Sequence, residues 1–104
     1  MKNLWIDDLR TPPEGWDWAK SSAEAIILLK DNLYETVSFD HGLGGHDTAM
    51  LVVTWMSNVL TDNEWPSRVL VHSANPVGAR NLYNAITRDS PASTTVSLAS
   101  VLSV

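Results

Sequence analysis

Two patterns of apolar and polar positions alternate along the chain. Short runs rich in apolar and β-branched residues are each predicted as a strand: residues 2–7, 36–40, 68–72 and 94–98. Trp16-Asp17-Trp18 alternates in polarity and predicts one more brief strand. Between these runs, apolar residues recur with helical spacing. Strands that alternate with helices are typical of a parallel sheet, so the predicted fold class is α/β.

Capping residues mark the starts of two of the predicted helices. Ser21 followed by Glu24 is a capping box, and Asn75 followed by Pro76 is an N-cap with proline at the first helical position. Helices are predicted at about residues 21–33, 47–60 and 75–88. The side chains expected to face the core are Ala23, Ile26, Ile27 and Leu29 in the first helix, Ala49, Val52, Val53, Met56 and Leu60 in the second, and Ala79, Leu82, Tyr83 and Ile86 in the third.

Composition narrows the class of protein. A chain of 104 residues is long enough for one domain with a modest core, so we expect a single domain over residues 1–104. The net charge of −5 argues against a broad nucleic-acid surface, which would be basic. The chain has no cysteine, which excludes a disulfide framework and thiolate chemistry. No apolar run has membrane-spanning length and no signal-peptide pattern is present, so we expect a cytoplasmic protein with no membrane partner.

Polar and charged residues follow three of the predicted strands. Asp7-Asp8 ends the first, Asp40-His41 ends the strand at 36–40, and His72-Ser73 ends the strand at 68–72. In an open parallel sheet, ligands bind in the crevice beyond the carboxyl ends of the strands. These side chains are therefore predicted to surround one small cleft.

The three carboxylates of this cleft predict a cation site. Asp7, Asp8 and Asp40 repel one another unless a cation or a proton lies among them. Carboxylate oxygens suit Mg²⁺, which keeps several waters and binds phosphate as well. The alternative is that each aspartate only caps a turn or accepts backbone N–H bonds.

Two imidazoles and several phosphate-binding groups accompany the acids. His41 and His72 could act as general acid and base in phosphoester chemistry, and the alternative is a pair of neutral histidines at the rim of the sheet. Helix N-termini and glycine-rich turns expose backbone N–H groups to anions. The residues predicted to bind phosphate in this way, or through a hydroxyl or a positive charge, are Ser73, Asn75, Arg10 and Gly44.

The order of these motifs resembles the receiver domain of response regulators. The resemblance rests on Asp7-Asp8, residues 19–26, Val37-Ser38-Phe39-Asp40 and Ser73. It implies a flavodoxin-like fold of two or three layers, with a mostly parallel sheet of four to five strands in the order 2-1-3-4-5. It also implies Mg²⁺ on Asp7, Asp8 and Asp40, with Asp40 as phosphoacceptor and Ser73 in contact with the phosphoryl group.

The chain departs from an ordinary receiver in two ways. Receivers have a lysine after the fifth strand, and residues 94–104 contain none. Prolines and a glycine in residues 9–15 replace the first helix of a receiver with a loop.

A smaller family is a closer match. Residues 5–13, 38–44 and 71–76 are similar to motifs of the cyclic-phosphate processing receiver-like family, although Gly42 stands where an acidic residue is usual. This resemblance implies that His41 and His72 join the acids in a cleft that acts on a phosphoester, as a phosphodiesterase or cyclic-phosphate hydrolase would. The expected ligand is a phosphate-containing small molecule or an RNA end.

Two other functions remain open from the sequence. The chain could be a non-catalytic receiver-like module that binds another protein as an inhibitor or adaptor, which the missing lysine favours. It could also be a true phosphoacceptor, modified at Asp40.

The missing first helix leads to a further expectation. Parallel sheets are normally covered on both faces, and this chain lacks the helices that cover one face of a receiver. The apolar groups available for that face are Trp16, Trp18, Val101, Leu102 and Val104. We therefore expect a homodimer or a protein partner on an uncovered apolar face.

Overall fold

The computed structural model describes residues 2–98, which form a five-stranded, all-parallel sheet with three helices. The strand order is β2-β1-β3-β4-β5, which confirms the predicted 2-1-3-4-5 order. The strands are β1 (Asn3–Ile6), β2 (Asp17–Ala19), β3 (Thr36–Phe39), β4 (Arg68–Val71) and β5 (Thr95–Leu98). The helices are α1 (Ser22–Asp31), α2 (Met50–Val59) and α3 (Pro76–Asp89). No helix among the described residues is long and apolar enough to cross a membrane.

The strand order decides where the connections lie. From β2 to β3, β3 to β4 and β4 to β5, the chain always steps in the same direction across the sheet. Right-handed crossovers therefore place α1, α2 and α3 on one face, and α1 packs against α2 and α2 against α3. The step from β1 to β2 runs in the opposite direction, so residues 7–16 belong to the other face. We call this segment the β1–β2 loop and this other face of the sheet the open face.

The core lies between the helices and the face of the sheet that they cover. Every second strand residue points there, and these side chains are fully buried: Leu4, Ile6, Val37, Phe39, Val69 and Val71. From the helices, Val52, Val53 and Met56 of α2 and Leu82 and Ile86 of α3 pack against them, as predicted.

Two details of the helices differ from the sequence predictions. In α1, Leu29 is buried and Ile26 packs against the core as predicted, but Ala23 and Ile27 are exposed and Ala25 is buried instead. Helix α2 begins at Met50 rather than near Asp47. Residues 41–49 instead form a tight loop, in which Gly42 pairs with Thr48 and the Leu43 amide donates to the Asp47 carbonyl at 3.0 Å.

The open face is more polar than we expected. Its strand positions are Asn3, Trp5, Trp18, Thr36, Ser38, Arg68, Leu70, Thr95 and Ser97. Within residues 2–98, none of the highly exposed large apolar side chains is at one of these positions.

The β1–β2 loop covers part of this face. The Trp5 indole donates to the Arg10 carbonyl at 2.8 Å, the Trp18 indole donates to the Asp7 carbonyl at 2.7 Å, and Trp16 packs edge-on against Trp5. The expected apolar patch is therefore absent from the strands of the open face in residues 2–98. The homodimer stays a prediction, but an apolar patch on these strands no longer supports it. The terminal Val101, Leu102 and Val104 lie outside the described residues.

A buried tyrosine ties the edge strand β2 to the segment before β3. The Tyr34 hydroxyl donates to Oδ2 of Asp17 at 2.7 Å, and burial, together with the hydrogen bond and charge of Asp17, raises the pKa of Tyr34. We expect Tyr34→Phe to lower the free energy of unfolding by about 0.5–1.5 kcal/mol at neutral pH. Because the folded-state pKa is raised, this difference should be full below pH ~10 and should disappear as the pH rises further.

The measurement is urea unfolding of both proteins between neutral pH and pH ~11. Tyr83→Phe, on a partly exposed position of α3, is the matched control. A Tyr34→Phe variant as stable as the wild type at neutral pH would contradict the assignment.

Candidate functional site

A cavity of about 280 Å³ opens at the carboxyl ends of β1, β3 and β4. This is the position where ligands bind in open α/β sheets. The residues that line it are Asp7, Leu9, Arg10, Asp40, Gly42, Ser73, Ala74 and Asn75. Most of the predicted site residues are thus brought together, and Leu9 and Ala74 are additions that no pattern in the sequence singled out.

Three carboxylates meet beside this cavity. Asp7, Asp8 and Asp40 each offer one oxygen, and these oxygens lie within 4.8 Å of one another. Within residues 2–98, no lysine or arginine forms an ion pair with any of the three. A cluster of hard oxygen donors without such an ion pair fits Mg²⁺.

Asp7 is completely buried, and its hydrogen bonds hold the turn after β1. Its Oδ1 accepts the amides of Leu9 at 2.9 Å and Arg10 at 3.0 Å, and its Oδ2 lies 2.9 Å from Nε2 of His72. The turn-capping alternative is therefore also true of Asp7. Asp40 is partly exposed, and its Oδ1 accepts the amide of His41 at 2.8 Å.

The glycine-rich loop after β3 packs against the acids. Gly44 and Gly45 have positive φ angles of 93° and 56°, and a Cβ atom on Gly44 would lie 3.3 Å from Oδ2 of Asp8. Oδ1 and Oδ2 of Asp47 accept the Ser22 hydroxyl at 2.6 Å and the Ser22 amide at 2.8 Å, which anchors the loop to the start of α1. Gly44 thus lies beside Asp8, although it does not line the cavity.

The predicted phosphate-binding residues on the other side of the cavity come from the start of α3 and from the β1–β2 loop. The Ser73 hydroxyl accepts the Asn75 amide at 3.1 Å, and the Asn75 side chain caps α3 by accepting the Gly78 amide at 3.1 Å. Nη1 of Arg10 donates to the His72 carbonyl at 3.2 Å, which brings its positive charge to the end of β4.

His72 lies beneath the acids and does not line the cavity. Its ring stacks on Trp5 with centroids 3.9 Å apart, and its Nδ1 is 2.6 Å from the Ser38 hydroxyl. Burial lowers the pKa of His72, against the opposing effects of Asp7 and Asp40. Ser38 and Trp5 were not assigned to the site from the sequence, although both lie in the quoted motifs; the signal for Ser38 was a hydroxyl between the apolar Val37 and Phe39.

His41 lies on the other side of the sheet. Its ring packs over Gly78 of α3, where an added Cβ atom would come within 2.5 Å of the His41 Cγ. His72, in contrast, lies on the open face with Trp5 and Ser38. Within residues 2–98, the two imidazoles therefore contact different residues. The structure does not support the prediction that they act together as general acid and base.

One known protein family matches the part of the chain that contains these motifs. The model of the cyclic-phosphate processing receiver domain matches residues 2–88. The chain belongs to the cyclic-phosphate processing receiver domain family. The match includes the acidic cluster, both histidines and the cavity, so the resemblance inferred from the motifs is confirmed. No curated protein and no solved structure matches the chain.

This receiver domain lacks the lysine that receivers have after the fifth strand. No lysine occurs in the sequence after Lys30, so β5 and the residues beyond it cannot supply one. Among the residues that line the cavity, Arg10 has the one permanent positive charge. The positive charge near the acids thus comes from the β1–β2 loop, which takes the place of a receiver's first helix.

The close approach of His41 to Gly78 leads to a stability prediction. In Gly78→Ala, the added methyl group would meet the Cγ, Nδ1 and Cβ atoms of His41 at 2.5–2.9 Å. We expect this overlap to cost about 1–3 kcal/mol of unfolding free energy. That cost exceeds the roughly 1 kcal/mol that alanine gains over glycine inside a helix.

Urea unfolding of a double-mutant cycle measures this effect. Gly78→Ala should be less destabilising in a His41→Ala background, because the overlapping ring is gone. Gly42→Ala is the matched control, since a Cβ atom there meets nothing within 4 Å. Equal effects of Gly78→Ala in both backgrounds would show that the His41 ring is not the neighbour that matters.

Proposed function

We propose that this receiver domain binds a phosphoester in the cavity at the carboxyl edge of the sheet and hydrolyses it with the help of Mg²⁺. The observation that supports this most directly is the meeting of two groups of residues in one cavity. Asp7 and Asp40, with Asp8 beside them, form the cation side, and Arg10, Ser73 and Asn75 form the anion side. A cyclic phosphate is the substrate that the family's description suggests.

Without a bound cation, the negative charges on the acidic side of the cavity repel one another. Three carboxylate oxygens lie within 4.8 Å of one another, and within residues 2–98 no lysine or arginine forms an ion pair with any of them. Bound Mg²⁺ would offset this repulsion, polarise a phosphoryl oxygen and lower the pKa of its bound water. Asp7, Asp8 and Asp40 are the residues that we assign to hold it.

The opposite side of the cavity suits the anionic part of a ligand. The start of α3 exposes the Ala74 and Asn75 region beside the Ser73 hydroxyl, and helix N-termini favour phosphate. Arg10 adds a guanidinium group, which binds phosphate oxygens through two N–H groups. Arg10, Ser73 and Asn75 would therefore orient the phosphoryl group towards the acids.

Hydrolysis of a cyclic phosphate forms one P–O bond to water and breaks one P–O bond of the ring. The proton of the water ends on the alkoxide oxygen that leaves phosphorus. Asp40 is partly exposed and lines the cavity, so we assign it to orient the attacking water and accept its proton. His41 and His72 lie on opposite sides of the sheet, so the proposal does not require them to exchange protons with each other.

One exposed residue favours an organic phosphate over the free ion. Leu9 lines the cavity although its side chain is 83% exposed, and its amide is fixed by Asp7. An apolar group held at the rim of an anion site can pack against a sugar or base. This supports a nucleotide or an RNA end as the ligand.

A non-catalytic binding module is the alternative function, and the missing lysine is the observation that favours it. In that case, partner binding should survive Asp40→Asn, and no substrate should turn over. The open face offers little support for this alternative, because its strand positions in residues 2–98 include no highly exposed large apolar side chain.

A substrate screen tests the proposed function. We expect hydrolysis of a 2′,3′-cyclic nucleotide or a cyclic dinucleotide in the presence of Mg²⁺ and its loss after chelation. Asp40→Asn should lower the rate on the order of 10²-fold or more, because proton transfer and orientation of water are lost together. Asp62→Asn, at an exposed position distant in sequence, is the charge-matched control. Turnover that survives Asp40→Asn would contradict the assignment of Asp40, and no Mg²⁺-dependent turnover or binding of any phosphoester would contradict the function.

The phosphoacceptor alternative has its own test. We expect no stable phosphoryl group on Asp40 after incubation with acetyl phosphate and Mg²⁺, because no lysine follows the fifth strand. Intact mass spectrometry measures this outcome. A phosphoryl adduct in the wild type that is absent from Asp40→Asn would show that Asp40 is an acceptor after all.

A further inference from the structure

A buried chain of hydrogen bonds leads from the interior of the sheet to the acidic cluster. The Ser38 hydroxyl lies 2.6 Å from Nδ1 of His72, and Nε2 of His72 lies 2.9 Å from Oδ2 of Asp7. Ser38 is 1% exposed, His72 6% and Asp7 0%. Ser38 is therefore too deeply buried to act as a nucleophile, and His72 has no ring nitrogen left for a substrate.

The partners place each ring nitrogen of His72. A carboxylate can only accept, so Nε2 of His72 donates to Asp7. The Ser38 hydroxyl can donate to or accept from Nδ1, so it holds the other edge of the ring. Ser38 thus keeps Nε2 of His72 directed towards Asp7.

The plane of the His72 ring is also fixed. Trp5 stacks on it with an interplanar angle of 6°, and Trp5 is held in turn by its bond to the Arg10 carbonyl. Arg10 donates to the His72 carbonyl, which fixes the backbone at the same position. A ring restrained at both nitrogens and on one face can move little relative to Asp7.

We infer that His72 is a positioning residue, which holds Oδ2 of Asp7 in the orientation needed to bind the cation. This inference rests on the proposed function for the cation site but assigns His72 a different role from acid or base. Hydrogen bonds to metal-binding carboxylates typically contribute tenfold to a hundredfold in metal affinity. Oδ1 of Asp7 is occupied by two backbone amides, so Oδ2 is the oxygen whose orientation remains to be set.

Nitrogen NMR of the imidazole tests the inference without any metal. Long-range ¹H–¹⁵N spectra of the wild type should show a proton on Nε2 of His72. A ring with its proton on Nδ1 alone would place the Nε2 lone pair against the Asp7 carboxylate and would overturn the inference.

Metal binding by two variants of His72 gives the second test. In His72→Gln, the amide nitrogen can still donate to Asp7 and the amide oxygen can still accept from Ser38, whereas His72→Leu fills similar space without either group. With Mn²⁺ as the probe, measured by electron paramagnetic resonance of the free ion, His72→Leu should bind about tenfold to a hundredfold more weakly than the wild type. His72→Gln should recover most of that loss.

The outcomes separate the two proposals. A wild type that binds no Mn²⁺ or Mg²⁺ contradicts the proposed function, whereas equal affinity in the wild type and His72→Leu overturns only the inference about His72. If His72→Leu does not fold, Ser38→Ala replaces it, because it removes the group that holds Nδ1 of His72. Ser38→Ala should then weaken Mn²⁺ binding, and unchanged affinity in a folded Ser38→Ala variant would overturn the inference. Thermal unfolding of every variant shows whether a change in affinity accompanies loss of the fold.

Discussion

The burial of one carboxylate, that of Asp7, is the constraint on which the rest of the site depends. A buried charge is costly unless hydrogen bonds or a cation compensate it, and Asp7 has no exposed surface. Its two oxygens bind the amides of Leu9 and Arg10 and the ring of His72, so the turn after β1 and the end of β4 converge on the same group. The cavity between them follows from this convergence. The geometry of the site is thus set by Asp7 and the groups that bind it, of which His72 does not line the cavity.

Much of the fold was predictable because local signals and strand order agree. The caps at Ser21 and Asn75 are present in the structure, where they accept the amides of Glu24 and Gly78. The beginning of α2 was not predictable in the same way. A turn stabilised by Gly42, Thr48 and Asp47 replaces the predicted start of the helix. Such pairing depends on contacts that cannot be inferred from the helical spacing of apolar residues.

The candidate site was predictable in its acids but not in its histidines, and the reason is the alternation of side chains along a strand. Asp7, Asp40 and His72 each come one residue after the last core residue of a strand, namely Ile6, Phe39 and Val71. His41 comes two residues after Phe39 and so returns to the side of the helices, where it meets Gly78. Proximity to a strand end was therefore not sufficient. For the two histidines, the count from the last core residue gives the face that each ring joins. Asp8, two residues after Ile6, and Ser73, two residues after Val71, nevertheless join the acidic cluster and the cavity.

The same reasoning explains how the cleft acquires a positive charge without a lysine after the fifth strand. Because β2 lies on the opposite side of β1 from β3, the β1–β2 loop belongs to the open face, and it reaches the end of β4 there. The backbone amide of Arg10 binds Asp7 and its guanidinium binds the His72 carbonyl, so the positive side of the cavity is fixed by the residues that fix the negative side. A change in the orientation of Asp7 would therefore move both charges together. No helix lies between β1 and β2, and the turn directly after β1 holds Arg10 against Asp7.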